Sequence, residues 1–398
     1  MKKSALISAV LLFITILVGV LGTYSIMIAL PFIGEELHLN PVEQGAIMSV
    51  YFLGFAIFTI PGGIIADKRG SKQIIVISVV LWAILTALTG AVTSFAALLV
   101  VRFLLGVIDA PLMPAMYKAI AERTPANIRT TTISIVSSAE PIGSGLAPFL
   151  VAPLIAILGW QEATFVTASI GLLLAPILLI FLPRPFVMEQ PSSSDSSSAS
   201  KSNPIPLLSL LRNIDLWKLT GMLSGINIVM IGCMTWVPTY LTTEKHLAIT
   251  ESGLYASLPL LISMLGYLAG GWLYDRYFYQ KFRTMVIPSI LVSAIFLTLM
   301  ILTDDVNLFM LFESISLFFL SLTTQPIIGL TMRLIPSNAM GTATGILLTG
   351  GKLASIFTPI AMGAFIQAYS FQAGFSLLLV GAGISFVSSI LIHLKRSE

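Results

Sequence analysis

The chain has 398 residues, of which 56% are hydrophobic and 10% charged, with a formal net charge of +3 and a mean hydropathy of +0.97. An ordinary soluble domain carries roughly a quarter charged residues, so water is not the main solvent of this surface and a string of soluble domains is excluded. The one cysteine, Cys233, cannot form an intrachain disulfide, and together with three scattered His it makes no metal site.

Met1, Lys2 and Lys3 open onto an apolar run from Ala5 to Ile33. That run is too long for a secretory signal and has no clear small-x-small cleavage site, so it reads as a first membrane helix. Apolar segments then fall near 43 to 66, 73 to 93, 96 to 122, 130 to 157 and 161 to 183. Six more lie near 216 to 242, 252 to 275, 284 to 302, 306 to 334, 339 to 369 and 371 to 394. Lipid offers no partner for unpaired backbone groups, and these segments are too long and too uniformly apolar for barrel strands. The expected fold class is therefore an all-α membrane protein of twelve transmembrane helices, numbered here as spans 1 to 12.

Between spans 6 and 7, the run from Ser192 to Ser200 is polar and low in complexity, and cannot bury enough apolar area to fold. The expected organisation is an N-terminal six-helix bundle over 1–183, a cytoplasmic Ser-rich linker over 184–215 and a C-terminal six-helix bundle over 216–398. The halves echo each other: Gly62-Gly63-Ile64-Ile65-Ala66-Asp67 after span 2 recurs as Gly270-Gly271-Trp272-Leu273-Tyr274-Asp275 after span 8, 208 residues on. Internal duplication around a linker is a transporter signature.

Orientation follows from the basic residues, because positive charge near helix ends is retained inside. With a cytoplasmic N-terminus, Lys68, Arg69, Lys72, Lys118, Arg123, Arg129, Arg276, Arg283 and Arg333 fall in inner loops, and only Lys245 falls outside. Arg102 and Lys352 lie within spans. Both termini are then cytoplasmic, and the expected location is the inner membrane.

The strongest motif is Gly63-Ile64-Ile65-Ala66-Asp67-Lys68-Arg69-Gly70-Ser71-Lys72, which resembles the loop between helices two and three of the major facilitator superfamily. Gly63 permits close backbone approach, Asp67 can meet a neighbouring helix N-terminus, and Arg69 and Lys72 hold the loop on the cytoplasmic side. The expectation is a conformational latch involving Gly63, Asp67, Arg69, Gly70 and Lys72, with Asp275 and Arg276 as the counterpart in the second half. The alternative is a positive-inside loop with no gating role.

Within that superfamily the chain is similar to the anion:cation symporters, on Ile60-Pro61-Gly62-Gly63, Arg102 through Pro111, and Trp236-Val237-Pro238-Thr239-Tyr240-Leu241. The resemblance implies two pseudo-symmetric bundles around a central path and proton-linked import of a small organic anion such as a sugar acid. The alternative is proton-coupled efflux of a drug or metabolite, although span 5 lacks the Gly-Pro-x-x-Gly-Gly pattern of drug-exporting antiporters. The chain departs from the symporter pattern at Gly22-Thr23, where an Asp-Arg pair is usual, and at Thr59, where Gln is usual.

A charge at mid-bilayer costs several kcal/mol, so each one that faces the interior is a functional candidate. Arg102 and Asp109 are seven residues apart, two helical turns on nearly one face, able to line one wall of a central cavity. The resemblance assigns Arg102 to anion binding or to pairing with the acid, and Asp109 to proton carriage; the alternative is a permanent ion pair. Glu140 precedes Pro141, and either replaces the missing acid of span 1 as a second proton carrier or satisfies a backbone group freed by the proline. Lys352 would attract a substrate carboxylate from the second half, or pair with Asp109 or Glu140. Tyr24, Tyr51, Asn227 and Trp236 complete a plausible pocket, although Trp236 equally suits an interfacial anchor. Glu313 reads as a packing or gating residue. No nucleophile, base and oxyanion set and no phosphate-binding glycine loop appears, so an enzyme is not expected and no cofactor is implied. The expected partners are the organic anion, protons and the bilayer, with no nucleic acid, and the chain is expected to act as a monomer.

Overall fold

The computed structural model describes residues 3–124, 129–183, 185, 210–335 and 340–392. Twelve helices are long and apolar enough to cross a membrane. In the first half they are Ser4–Glu36, Pro41–Thr59, Ser71–Ala91, Phe95–Arg123, Ile135–Leu158 and Trp160–Phe181. In the second they are Ile214–Glu244, Ile249–Phe278, Phe282–Leu302, Val306–Thr331, Gly345–Ala368 and Phe371–Leu391. Each overlaps the segment expected from sequence. Most of the Ser-rich linker lies outside the described residues; its last part, from Leu210, already leads into the helix that starts at Ile214.

Polar residues at the span starts explain where the helices begin. Asn40 and Glu43 form a reciprocal capping box, with Asn40 Oδ1 accepting from Glu43 N at 3.0 Å and Glu43 Oε2 from Asn40 N at 2.9 Å. Asp305 caps span 10 at Leu308 N, Ser370 caps span 12 at Ala373 N, and Asn213 caps span 7 at Asp215 N and Leu216 N. Gly70, at φ +88°, turns the chain directly from span 2 into span 3.

Spans 4 and 10 are both broken. The first consists of Phe95–Asp109 and Leu112–Arg123, the second of Val306–Ser321 and Thr324–Leu334. A glycine packs against each break: a Cβ on Gly62 would stand 2.8 Å from Pro111 Cα, and one on Gly270 would stand 2.2 Å from the Leu322 carbonyl. Gly62 and Gly270 are 208 residues apart, so the sequence repeat marks equivalent helix contacts in the two halves.

The two six-span bundles meet mainly where span 2 packs on span 11 and span 5 on span 8. Contact is tightest at the end away from the termini, here the distal end. A Cβ on Gly45 would stand 2.3 Å from the Pro359 carbonyl, one on Gly363 2.3 Å from the Pro41 carbonyl, and one on Gly253 2.2 Å from Ala152 Cβ. Only glycine permits such backbone approach. At the opposite, termini end, Glu140 is exposed yet lies within electrostatic reach of Tyr24 and Tyr267, one from each half. The halves are thus closed distally and parted by a crevice toward the termini.

Candidate functional site

The site in the first half is built around the break in span 4. Gly106 lets the backbone of span 2 approach so closely that a Cβ there would stand 2.0 Å from the Tyr51 carbonyl. The Tyr51 hydroxyl thereby reaches the last residue before the break and donates to Asp109 Oδ2 at 2.8 Å. Two turns back on the same helix, Arg102 is 2% exposed and its Nε has no hydrogen-bond partner. These three side chains line one internal cavity, closed by Gly22 and Thr23 of span 1, by Thr86 of span 3 and by Thr164 of span 6. Its volume of about 10 Å³ suits a water-sized molecule.

Two expectations change here. No carboxylate lies within 4.0 Å of Arg102 among the described residues, so the permanent Arg102–Asp109 ion pair is not formed; the tyrosine occupies the acid instead. The cavity that Arg102 and Asp109 share is enclosed by first-half spans alone, rather than forming a wall of the crevice between the halves.

The remaining candidates are dispersed along that crevice and its flanks. Glu140 stands in the first turn of the helix Ala139–Leu158, next to a break at Ser138, and is exposed with no hydrogen bond among the described residues. Pro141 therefore falls in a first turn, where a missing N–H is tolerated, and Glu140 does not satisfy a freed backbone group. Lys352 Nζ sits 5.7 Å from the centroid of the Phe55 ring across the contact of spans 2 and 11, with no carboxylate within 4.0 Å among the described residues. Pairing of Lys352 with Asp109 or Glu140 is thus absent. Asn227 donates to the Leu223 carbonyl of its own helix at 2.8 Å and packs against Gly351, beside the lysine.

Trp236 is neither a ligand group nor an interfacial anchor. It is fully buried, its Nε1 donates to the Pro359 carbonyl at 3.1 Å, and its ring meets Phe371 edge-on. Its one donor is consumed in holding span 7 against spans 11 and 12. Tyr24 faces the other half, with its hydroxyl 3.2 Å from Met234 Sδ.

Of the expected latch, Gly63 and Asp67 have only their backbone described, in the last turns of the helix Pro41–Arg69 that continues span 2, and their side chains lie outside the described residues. Arg69 is exposed. Lys72 donates to the Leu182 carbonyl at the end of span 6 at 2.8 Å. The hub of this loop is a residue that sequence reading treated only as one more inner-loop cation. Arg123 is fully buried and donates to the Pro183 carbonyl at 2.7 Å, to Ser71 Oγ at 2.9 Å and to Glu122 Oε2 at 2.8 Å, while Ser71 itself donates to Glu122. All these contacts stay within the first half. In the second half Arg333, at the equivalent end of span 10, donates to the Tyr279 carbonyl and lies 4.2 Å from that ring's centroid. Asp275 and Arg276 are exposed on the π-helical turn Tyr274–Phe278.

A second small cavity, also of about 10 Å³, lies on the seam between the halves, bounded by Tyr24 and Pro148 on one side and by Cys233, Met234 and Glu313 on the other. Sequence reading missed Cys233 as part of a site and set Glu313 aside.

The Major Facilitator Superfamily model matches residues 12–359. The chain is 24% identical to the hexuronate transporter of Bacillus subtilis (strain 168), over 99% of this chain and 96% of that protein. It is 26% identical to a probable galactarate/D-glucarate transporter of Escherichia coli (strain K12), over 98% and 95%. Among solved structures, a bacterial homologue of the human lysosomal transporter Spinster, in an inward-facing and occupied conformation, superposes with a TM-score of 0.83 at 15% identity, over the whole of both chains. Twelve spanning helices in two duplicated bundles, with the family match running through both, make this a multi-pass membrane transporter and not an enzyme: the chain belongs to the Major Facilitator Superfamily.

Proposed function

We propose that this protein imports a small organic anion, a sugar acid or other carboxylate, together with protons, by alternating access of its two halves. The observation that carries the reading is that two cations within spans, Arg102 and Lys352, have no carboxylate within 4.0 Å among the described residues. Positive charge left unpaired inside a membrane is costly, and an anionic substrate relieves that cost. Sequence relatives named for hexuronate and for galactarate/D-glucarate support the same substrate class.

In this reading Lys352 meets the substrate carboxylate from the second half, while Arg102 supplies attraction from the first. The cavity at Arg102 is far too small for a sugar acid, so its role in this conformation is electrostatic rather than direct contact. Asp109 carries the proton: its ionised form accepts the Tyr51 hydrogen bond, and its neutral form leaves Arg102 uncompensated for the anion. Glu140, open to the crevice, is the second proton acceptor. The concentration of basic residues at the termini end supports cytoplasmic termini and an inner-membrane location, which makes the crevice face the cytoplasm. The protein acts as a monomer.

The test is uptake of labelled D-glucuronate, D-galactarate and D-glucarate into proteoliposomes with an imposed pH gradient. Uphill accumulation that collapses with a proton ionophore is expected. Failure to take up any of the three, or accumulation indifferent to the gradient, overturns the reading.

A further inference from the structure

Glu313 is a buried acid with no cation beside it among the described residues. It lies midway along the helix Val306–Ser321, 3% exposed, and its Oε2 has no hydrogen-bond partner. The carboxyl opens onto the small seam cavity, with Tyr24 of span 1 and Pro148 of span 5 opposite it across the boundary between the halves. Its side-chain contact is the thiol of Cys233, the only cysteine in the chain.

The surroundings offer no counter-charge. Cys233 on span 7 and Tyr24 on span 1 are the titratable groups that share the cavity. Span 9 presents the hydroxyl of Ser293, which is bonded to Ser316 of span 10 at 2.8 Å. On span 8, Tyr255 is engaged with Asn307 at the distal end of the helix, and Tyr240, near the end of span 7, packs on Phe309. Lys245, just after span 7, is drawn to Asp304 before the helix begins. An ionised carboxylate enclosed without a cation, with a weak thiol donor as its side-chain partner, is among the costliest arrangements a membrane protein can hold, whereas the neutral acid needs only weak partners such as a thiol and a thioether.

We propose that Glu313 is a proton-binding site on the seam between the two halves, and that its protonation is the condition for the distal end to close. The physical link is that the seam which buries Glu313 is the one that must part for the distal end to open. When Tyr24 and Pro148 withdraw, the carboxyl meets water and exchanges its proton with the distal side; when they return, only the neutral acid can be enclosed. Tyr24 also lies within electrostatic reach of Glu140, which is exposed in the crevice, so the same side chain stands between the seam cavity and the termini-side water. This deepens the proposed proton-linked function, on whose alternating-access reading it rests.

The experiment needs no substrate, so its outcome is separate from that of the uptake test. Hydrogen–deuterium exchange of the purified full chain is followed by mass spectrometry at acidic and at alkaline pH, with labelling times corrected for intrinsic exchange. In the wild type, peptides from the distal parts of spans 5 and 8, around Pro148 to Ala152 and Gly253 to Leu260, are expected to exchange about tenfold faster at alkaline pH, as the ionised acid holds the seam open. In Glu313→Gln, a neutral isostere, they stay protected at both pH values. Wild-type seam peptides indifferent to pH overturn the proposal whatever the variant does. So does a Glu313→Gln variant that retains the wild-type response.

Discussion

The Tyr51 hydroxyl donates a 2.8 Å hydrogen bond to Asp109 Oδ2 and so ties span 2 to the break in span 4. The bond exists because of glycine: Gly106 brings the backbone at Tyr51 against span 4, and Gly62 packs on Pro111 just beyond the acid. A carboxylate at a helix break is held by few backbone constraints, and a single hydroxyl then sets its position and its preference for charge.

Replacing that acid separates coupling from translocation. Asp109→Asn is expected to abolish uphill accumulation driven by a pH gradient while retaining substrate counterflow, both read in the same proteoliposomes. Accumulation at the wild-type level would remove Asp109 from proton carriage.

Tyr51→Phe removes a donor that stabilises the ionised carboxylate, a contribution of about 1.5 to 3 kcal/mol for a hydrogen bond to a charged group. The ionised form loses support, so the proton is held to higher pH. The pH profile of gradient-driven uptake should move upward by about one to two units. A profile that does not move, or moves down, contradicts the assignment of this hydrogen bond.

Lys352 and Trp236 make opposite predictions although both were pocket candidates. Lys352→Gln removes an unpaired ammonium from the contact of spans 2 and 11 and should raise the half-saturating anion concentration about tenfold or more. Trp236→Phe should leave that concentration unchanged and lower the melting temperature of the purified protein, because it deletes a buried hydrogen bond to the Pro359 carbonyl worth about 1 kcal/mol.

Much of the architecture was legible in the chain because the bilayer makes a simple demand: every span must be long, apolar and helical, and each expected segment overlaps its helix. The repeat of Gly62 to Asp67 at Gly270 to Asp275 correctly announced the duplication, since both glycines pack against equivalent helix breaks. The breaks themselves were hidden. Pro111 at the break in span 4 and Pro326, whose missing N–H would have met the Leu322 carbonyl at the break in span 10, were both visible, but prolines are common in membrane helices and most of them leave the helix intact. The candidate site was legible in residue type and not in grouping. Arg102 and Asp109 share a cavity as their spacing suggested, yet Tyr51 separates them chemically, and Trp236 turns inward to a carbonyl 123 residues away. Arg123 looked like an ordinary inner-loop cation because its partners, Ser71 and Pro183, are brought to it only by the packing of spans 3 and 6.

Arg123 should be a stability residue. Fully buried, it joins the ends of spans 3, 4 and 6 through Ser71, Glu122 and Pro183. Arg123→Ala leaves the Pro183 carbonyl without its donor and Glu122 with Ser71 but no guanidinium, and is expected to cost about 1.5 to 3 kcal/mol, as for losing a hydrogen bond to a charged group. Arg123→Lys should recover only part, because an ammonium cannot reproduce the planar fork that meets three acceptors at once. Denaturant unfolding in detergent, read by fluorescence, measures both.

Glycine substitutions distinguish folding of a bundle from closure between bundles. Gly106 and Gly45 look alike in sequence, and a Cβ on either would overlap a backbone carbonyl, at 2.0 Å from Tyr51 and 2.3 Å from Pro359 respectively. The first carbonyl belongs to the same half and the second to the other half. Gly106→Val should therefore prevent spans 2 and 4 from packing and reduce the yield of folded protein. Gly45→Val should leave both bundles folded, with a near-normal melting temperature, while the distal ends cannot meet and transport is lost. Exchange of the amides around Pro359 and Pro41 should rise in Gly45→Val, since those carbonyls line the contact the added side chain forbids. Transport at the wild-type rate in Gly45→Val would mean that this distal contact is not required for the cycle.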